Sequence, residues 1–288
     1  RALAVTGTGQ DSNYWRSGPL TLAPSTVYRL RFRGRSVGAE GGTPVTGPVF
    51  ANRDLGRMPD QWTAYTSIFV TPETLRPDDA WLRFGQWMVK GAVAFDDTGL
   101  TLAQPVYRRQ GELVLGAGES LSGHDYVFQA PLNSESGNQS RPLAYHRCSF
   151  NSNRCVFGRD SEVVYRQEVA GRSQTAAPVE VSVDWYAGGE LVVEAGRDGK
   201  DWRALGTLGQ QGSVSLPIPA DLLPSPVVWV KLRAQAKERV GQDSDPGSFQ
   251  IHGYTYRATL DGQSADLKGD THFVAVPVTD PRLKVGVE

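Results

Sequence analysis

The residues best suited to chemistry surround a tryptophan late in the first third of the chain. Trp87 ends the run Arg83-Phe-Gly-Gln-Trp87, so a guanidinium and an amide (Gln86) lie close to an indole in sequence. The C–H groups of a sugar ring stack on an aromatic face, while planar polar side chains bind its hydroxyls. We therefore predict that Trp87, Arg83 and Gln86 bind a carbohydrate. The alternative is a tryptophan that covers the edge of a packed domain.

Arg53 and Asp54 form a second candidate pair, because their side chains can also bind hydroxyl groups. The alternative for this pair is an ion pair on the surface of a loop. Most of the other tryptophans are expected to pack rather than bind. Four of them recur in the same order in both halves of the chain, and a fifth ends a predicted strand: Trp62, Trp81, Trp202, Trp229 and Trp185.

Two cysteines, Cys148 and Cys155, flank a segment rich in Asn and Ser. This spacing suits a hairpin loop closed by a disulfide in an oxidising compartment, which is the interpretation we favour. Two buried free thiols are the alternative. A metal site is disfavoured because only His146 lies close to them in sequence.

The sequence contains no signature of catalysis that we recognise. Its four histidines are isolated, and it has neither a Gly-x-Ser-x-Gly elbow nor a phosphate-binding glycine loop. Its formal net charge of −1 gives no basic excess for nucleic acid, and no apolar run is long enough to span a bilayer. We therefore predict a protein that is not an enzyme, binds no nucleic acid and has no membrane span in this chain.

The periodicity of the sequence is that of β-strands nearly everywhere. Apolar and polar residues alternate over 26–33 and 179–185, as they do in half-buried antiparallel strands. Asp198-Gly199 is a hairpin-turn signal between two strand-forming runs. Turn signals recur about every eight to twelve residues, so the predicted fold class is all-β, with β-sandwiches.

A weak internal repeat predicts two domains. Each half presents a strand that begins with tryptophan, then a loop with Pro and Leu, then a strand of the Trp-x-basic-apolar type. We place the domains at residues 1–106 and 107–288, with the boundary in Gln104–Arg109. No sheet should continue through residues 103–110 if this division is right.

The first half resembles carbohydrate-binding modules of the family 4/9/22 type. The residues that carry the resemblance, in order, are Leu3–Gly7, Tyr14-Trp-Arg16, Leu20-x-Leu-x-Pro24, Tyr28–Arg33, Trp62-x-x-Tyr65, Leu82-Arg-Phe84 and Phe95-Asp-Asp97. The resemblance implies a jelly-roll sandwich of the galactose-binding-like architecture. It also implies that Trp15 lies on the sheet face that binds a polysaccharide or glycan.

The same resemblance implies a structural calcium ion held by Asp96 and Asp97 on the closing strand of the first domain. The alternative is a solvated turn in which Asp97 is hydrogen-bonded to the backbone. Such modules usually open with a strand that is missing before Leu3 here. We therefore expect the chain to be a fragment or a processed product.

The second half is similar to discoidin-like sandwiches in the run Gly188–Trp202, a pattern that builds the fold and binds nothing. Together these observations predict a secreted or periplasmic, non-catalytic region of two tandem sandwiches that binds a glycan. The alternative is a structural or interaction module, a subunit of a larger extracytoplasmic assembly, that binds no sugar.

Overall fold

The computed structural model describes residues 2–235 and 248–276, and these residues are strand or turn almost throughout. Within these ranges there is no α-helix, and no helix that is long and apolar enough to cross a membrane. Residues 277–288, the end of the second predicted domain, lie outside the described ranges.

The strands of the first 110 residues are β1 (Leu3–Thr8), β2 (Ser12–Arg16), β3 (Val27–Glu40), β4 (Thr43–Pro48), β5 (Ala51–Asp54), β6 (Thr63–Val70), β7 (Leu82–Trp87) and β8 (Lys90–Gln110). Those that follow are β9 (Leu113–Leu115), β10 (Glu119–Gly123), β11 (Asp125–Gln129), β12 (Leu143–His146), β13 (Ser149–Asn151), β14 (Arg154–Phe157), β15 (Glu162–Glu168) and β16 (Gln174–Ala176). The last are β17 (Pro178–Tyr186), β18 (Glu190–Gly196), β19 (Arg203–Leu208), β20 (Gly212–Pro217), β21 (Val227–Gln235), β22 (Phe249–Leu260), β23 (Ala265–Lys268) and β24 (Thr271–Val276). Two short 3-10 turns, Pro77–Asp79 and Ala220–Leu222, precede β7 and β21.

The alternation in the sequence is reproduced by the strands. In β3 the apolar side chains of Tyr28, Leu30 and Phe32 are buried, whereas the arginines between them are partly exposed. Successive residues of a strand point to opposite sides of the sheet, so this pattern buries one face of β3 and leaves the other in contact with solvent. The strand predictions over 26–33 and 179–185 are confirmed by β3 and β17, and β18 and β19 form the hairpin predicted around Asp198-Gly199.

The described strands form three sheets that make two tandem β-sandwiches, which is the predicted fold class. One sheet has the order β1-β8-β3-β6, with β9 and β24 also on β8, and another has the order β12-β15-β21-β18-β19. The third and largest sheet begins β2-β7-β4-β5 and continues through β13 and β14 to β22. It contributes strands to both sandwiches. Two separate apolar cores lie between the sheets, one built from residues 5–95 and the other from residues 115–267.

The two halves are joined by strands rather than by a linker. β8 runs without interruption through the predicted boundary at residues 104–109, and β24 of the second half pairs with it from Thr271↔Tyr107 to Val276↔Leu102. β5 and β13 pair in parallel, so the largest sheet continues from one half into the other. The expectation that no sheet crosses residues 103–110 is therefore wrong, although the two cores remain distinct. The domain limits 1–106 and 107–288 stay a prediction, which the two separate cores favour and the strands β8 and β24 shared across the boundary oppose.

A polar cluster is buried beside the second core. The side chain of Glu119 has no exposed surface and receives two hydrogen bonds from Arg141, at 2.7 and 2.5 Å. The hydroxyl of Tyr126 donates to the same carboxylate at 2.6 Å, and the backbone N–H of Gly116 donates at 2.6 Å. Burial alone would lower the pKa of Arg141, but its hydrogen bonds and charge attraction to Glu119 raise it above the usual value. The fully buried charge of Glu119 is thus matched by the charge of Arg141, whose side chain is 16% exposed.

Candidate functional site

The candidate site lies on the side of β7 that points away from the first core. Leu82 and Phe84 are buried in that core, so the alternating residues Arg83, Gly85 and Trp87 point to the opposite side. We call this side of β2, β7, β4 and β5 the outer face. The indole of Trp87 is 53% exposed there.

The register of β2 brings a second aromatic side chain onto the outer face. Tyr14 pairs with Gly85, and Arg16 pairs with Arg83. Paired residues of neighbouring strands project from the same side of the sheet, so Tyr14 and Arg16 share the face of Trp87. The ring of Tyr14 is 5.8 Å from that of Trp81 at an interplanar angle of 17°, and the guanidinium of Arg16 lies 4.2 Å from the Trp81 centroid. Trp81 is therefore covered by these two side chains and is buried, as predicted for a packing residue.

Gly85 is required where β2 and β7 meet. A Cβ atom at this position would lie 2.3 Å from Cβ of Tyr14 and 2.4 Å from the carbonyl oxygen of Asn13. These distances are far below van der Waals contact, so only glycine lets the tyrosine lie over the strand.

On the other side of β7, β4 and β5 add a carboxylate to the outer face. Val45 pairs with both Gly85 and Asp54, so the side chain of Asp54 is on the same side as Tyr14. Val45 is buried but is not part of the first core, as expected for a residue covered by neighbours on the outer face.

The guanidinium of Arg83 lies among these groups without a direct partner. It makes no hydrogen bond or ion pair with any residue in the described ranges, and its Nε atom is buried and unsatisfied. Burial lowers the pKa of Arg83, while the nearby Tyr14 and Asp54 oppose the shift. An arginine remains charged in a protein, so this is a fixed cation with hydrogen-bond donors to spare. The outer face thus offers exposed rings, a cation and a carboxylate side by side.

Two residues predicted for the site lie elsewhere. Trp15 pairs with Phe84, which places it on the opposite side of the sheet from Trp87, and its indole Nε1–H donates to the carbonyl oxygen of Ala4 at 2.9 Å. It is 53% exposed at the edge between the two sheets of the first sandwich, so one ligand surface cannot hold both tryptophans. Gln86 is fully buried, and its Oε1 accepts a hydrogen bond from the backbone N–H of Val89. The prediction that Gln86 contacts a ligand is wrong, because it faces inward with Phe84.

Arg53 likewise points away from the outer face. It pairs with Thr46 and donates hydrogen bonds to the carbonyl oxygens of Thr66, at 2.9 Å, and Glu135, at 3.2 Å. Burial lowers the pKa of Arg53, and the charge of Glu135 opposes this shift. Arg53 therefore ties β5 to β6 and to the second half instead of binding a ligand.

The residues around Asp96 and Asp97 do not fit a calcium cage. Asp96 accepts a hydrogen bond from the backbone N–H of Asp97, and both residues are exposed. Arg33 pairs with Asp96 across β3 and β8, which places a cation opposite the carboxylates. Among the described residues, no group of three or more His, Cys, Asp and Glu side chains could hold a metal ion. A six- to eight-coordinate ion would need more oxygen ligands than this pair offers.

The segment around the cysteines forms the predicted hairpin but not the predicted disulfide. β13 and β14 pair as a hairpin, and Cys148 and Cys155 are buried free thiols that are not at disulfide distance. The register explains this result, because Cys155 lies opposite Phe150 and Cys148 lies two residues further along. The environment of the hairpin raises the pKa of the Cys148 thiol, first through a contact with Cys155 and then through burial.

The second half has a concave surface that differs in composition from the outer face. A groove of about 990 Å³ lies over β10, β11, β22 and β23 and is lined by polar residues such as Ser120, Gln129, Asn133 and Lys268. The aromatic residue that lines it, Tyr254, is buried. Trp185 is 45% exposed, so its predicted burial is wrong. The groove thus lacks the exposed rings of the outer face.

Sequence reasoning named Trp87, Arg83 and Asp54 as candidates but did not predict that Tyr14, Arg16 and Asp54 lie beside Trp87 and Arg83. The alternation of Leu82, Phe84 and Gln86 with Arg83, Gly85 and Trp87 is visible in the sequence. This alternation predicts that Gln86 and Trp87 lie on opposite sides of β7. The pairing of β2 with β7 is not visible there, and it decides that Tyr14 rather than Trp15 lies beside Trp87.

Comparisons with known proteins give remote resemblances. No family model and no curated protein matches the sequence. Among solved structures, the chain is similar to the CBM22-1–CBM22-2 tandem domain from Paenibacillus barcinonensis Xyn10C, at 11% identity over 90% of this chain and 87% of that chain, with a TM-score of 0.28. It is also similar to a chain of the T13 IBDV viral particle, at 13% identity over 99% of this chain and 77% of that chain, with a TM-score of 0.27. TM-scores this low assign neither a ligand nor a function to this chain.

Proposed function

We propose that this chain is a non-catalytic glycan-binding region of a secreted or periplasmic protein and that the outer face is its binding surface. Trp87 and Tyr14 would stack on sugar rings, while Arg83, Arg16 and Asp54 would bind hydroxyl or other polar groups. A module that holds a protein on a polysaccharide needs such a shallow, open surface, because its ligand is a long chain rather than an enclosed molecule.

One observation carries this proposal. Two aromatic side chains about half exposed, Trp87 and Tyr14, lie on one sheet face beside Arg83, whose guanidinium has no partner in the described part of the chain. Exposed tryptophan and tyrosine are costly to leave in water, and an unsatisfied guanidinium Nε is costly to bury. Both costs are relieved when a ligand with apolar C–H faces and polar substituents covers them.

The test is a screen of the full chain on an array of polysaccharides, followed by calorimetry on the best ligand. Trp87→Ala and Tyr14→Ala should each weaken binding by about tenfold or more, as truncation of a central aromatic contact does. Trp15→Ala is the matched control, because it removes an equally exposed tryptophan from the opposite side of the same sheet. Circular dichroism should show that all three variants fold.

Two results would count against the proposal. Binding that depends on Trp15 and not on Trp87 would place the site elsewhere. Absence of binding to every glycan by the folded parent protein would favour a structural subunit of a larger assembly instead.

A further inference from the structure

The outer face continues from the first half of the chain into the second. Asn52 of β5 pairs with Asn151 of β13, and Nδ2 of Asn52 lies 2.8 Å from Oδ1 of Asn151. Ser152 adds two hydrogen bonds between the halves. Its Oγ accepts a hydrogen bond from the backbone N–H of Asp54 at 2.9 Å, and its own backbone N–H donates to the carbonyl oxygen of Asn52 at 2.9 Å. The same side of one sheet is therefore presented by both halves.

The register of β13 and β14 also places an arginine of the second half, Arg154, on this continued outer face. Asn151 pairs with Arg154, and the neighbouring pair in the same hairpin, Phe150 with Cys155, is buried in the second core. Arg154 must therefore point outward, on the side of Asn52 and Arg83. Its strand, β14, is four positions from β7 in the sheet order, a distance of roughly 19 Å at about 4.8 Å per strand.

The arginines along this path lack acidic partners in the described part of the chain. Arg16, Arg83 and Arg154 form no ion pair there, and the Nε atoms of Arg83 and Arg154 are buried without a hydrogen bond. The Nη1 atom of Arg154 donates only to a neutral amide, that of Asn153, at 2.9 Å. Asp54 is the acidic side chain among them, so the path has a net positive charge in a protein whose formal net charge is −1.

We infer that the outer face binds an acidic polysaccharide, whose carboxylate or sulfate groups pair with Arg83 and Arg154 while Trp87 stacks on a sugar ring. The inference rests on the proposed function and adds to it the class of glycan and the contribution of the second half. A guanidinium fork matches a carboxylate with two parallel hydrogen bonds, and charge-assisted bonds of this kind are about twice as strong as neutral ones. Arginine is preferred over lysine where an anion must be held in a fixed orientation. Two such forks roughly 19 Å apart would require an anionic group at intervals along an extended chain.

The experiment compares two ligands that differ only in charge, and adds one acidic and one neutral glycan of other backbones. Polygalacturonate and its carboxyl-reduced, neutral form are titrated into the full chain, together with dextran sulfate and neutral xylan. The variants are Arg83→Gln and Arg154→Gln, each of which keeps a polar side chain of similar length. The matched control is Arg109→Gln, which makes the same change of charge at an exposed position of β8, away from the large sheet.

We expect polygalacturonate or dextran sulfate to bind at least about tenfold more tightly than the neutral glycans. Arg83→Gln and Arg154→Gln should each reduce the ratio of the affinities for acidic and neutral glycans by about tenfold or more, and Arg109→Gln should leave this ratio unchanged. Thermal melting of each variant should match the parent, since none of these arginines forms an ion pair within residues 2–235 and 248–276.

Two outcomes overturn the acidic class of ligand, and a third, different outcome overturns the proposed function. Binding of neutral and acidic glycans with equal affinity, still dependent on Trp87, would overturn the acidic class while the proposed function stands. Binding of polyanions that all three arginine variants retain would show nonspecific charge attraction and would overturn it as well. Failure of the protein to bind any of the four glycans, or any on a wider array, would overturn the proposed function itself.

Discussion

Replacement of Arg141 by leucine should strongly destabilise the second sandwich. The variant removes two side-chain hydrogen bonds to Glu119 and a third, at 2.7 Å, to the carbonyl oxygen of Glu168. Glu119 is then left with no exposed side-chain surface and with only the neutral donors Tyr126 and Gly116. A buried charge that loses its partner costs about 3–5 kcal/mol, so the free energy of unfolding should fall by that amount.

The matched control is another Arg-to-Leu change at an ion pair on the surface. Arg203 pairs with Asp221, and their side chains are 54% and 65% exposed. Solvent screens such a pair, so Arg203→Leu should cost no more than about 1 kcal/mol. The double variant Glu119→Leu/Arg141→Leu removes both charges and should be less destabilised than Arg141→Leu alone.

Urea unfolding of the full chain, followed by circular dichroism and fluorescence, measures these differences. Equal losses for Arg141→Leu and Arg203→Leu would refute the reasoning, because burial would then make no difference to the value of the ion pair. A double variant less stable than Arg141→Leu would refute it too, since the penalty would not come from the unpaired charge.

Two further predictions concern buried titratable groups. Burial lowers the pKa of His146, so the unfolded chain takes up a proton that the folded chain resists, and stability should fall by up to about 1.4 kcal/mol per pH unit as the pH drops below 6.5. Urea unfolding between pH 7.5 and 5 should show a smaller loss for His146→Gln, and equal losses would contradict the assignment. Cys148 and Cys155 should react slowly with a thiol reagent in the native protein and both react once it is unfolded without reductant. Loss of two mass units and no reaction after unfolding would instead establish the disulfide.

The sequence was a good guide to strands because half-buried strands impose a strict alternation. β3 and β17 show this alternation in their sequences and in their burial. The same reasoning could place Gln86 with Phe84 in the core, since their separation of two residues fixes a common side.

The sequence was a poor guide to how strands meet. Nothing in residues 51–54 or 149–151 indicates the parallel pairing of β5 with β13, which merges two predicted sheets into one. Such pairing depends on contacts between residues about a hundred positions apart. The continuity of β8 through residues 104–109 was missed for a related reason, because its partner β24 lies near the other end of the chain. Trp15 and Tyr14 are adjacent in sequence, and a shift of one residue in the register would exchange their sides.

The most direct test of the outer face is an NMR titration that follows the indole N–H signals of the seven tryptophans. Each signal can be assigned from a single Trp→Phe variant, and the ligand is the glycan that binds best. If the outer face is the binding surface, the signal of Trp87 should shift most, that of Trp81 beneath Tyr14 should shift less, and that of Trp15 should stay in place. A shift of the Trp15 or Trp185 signal with that of Trp87 unmoved would contradict the account.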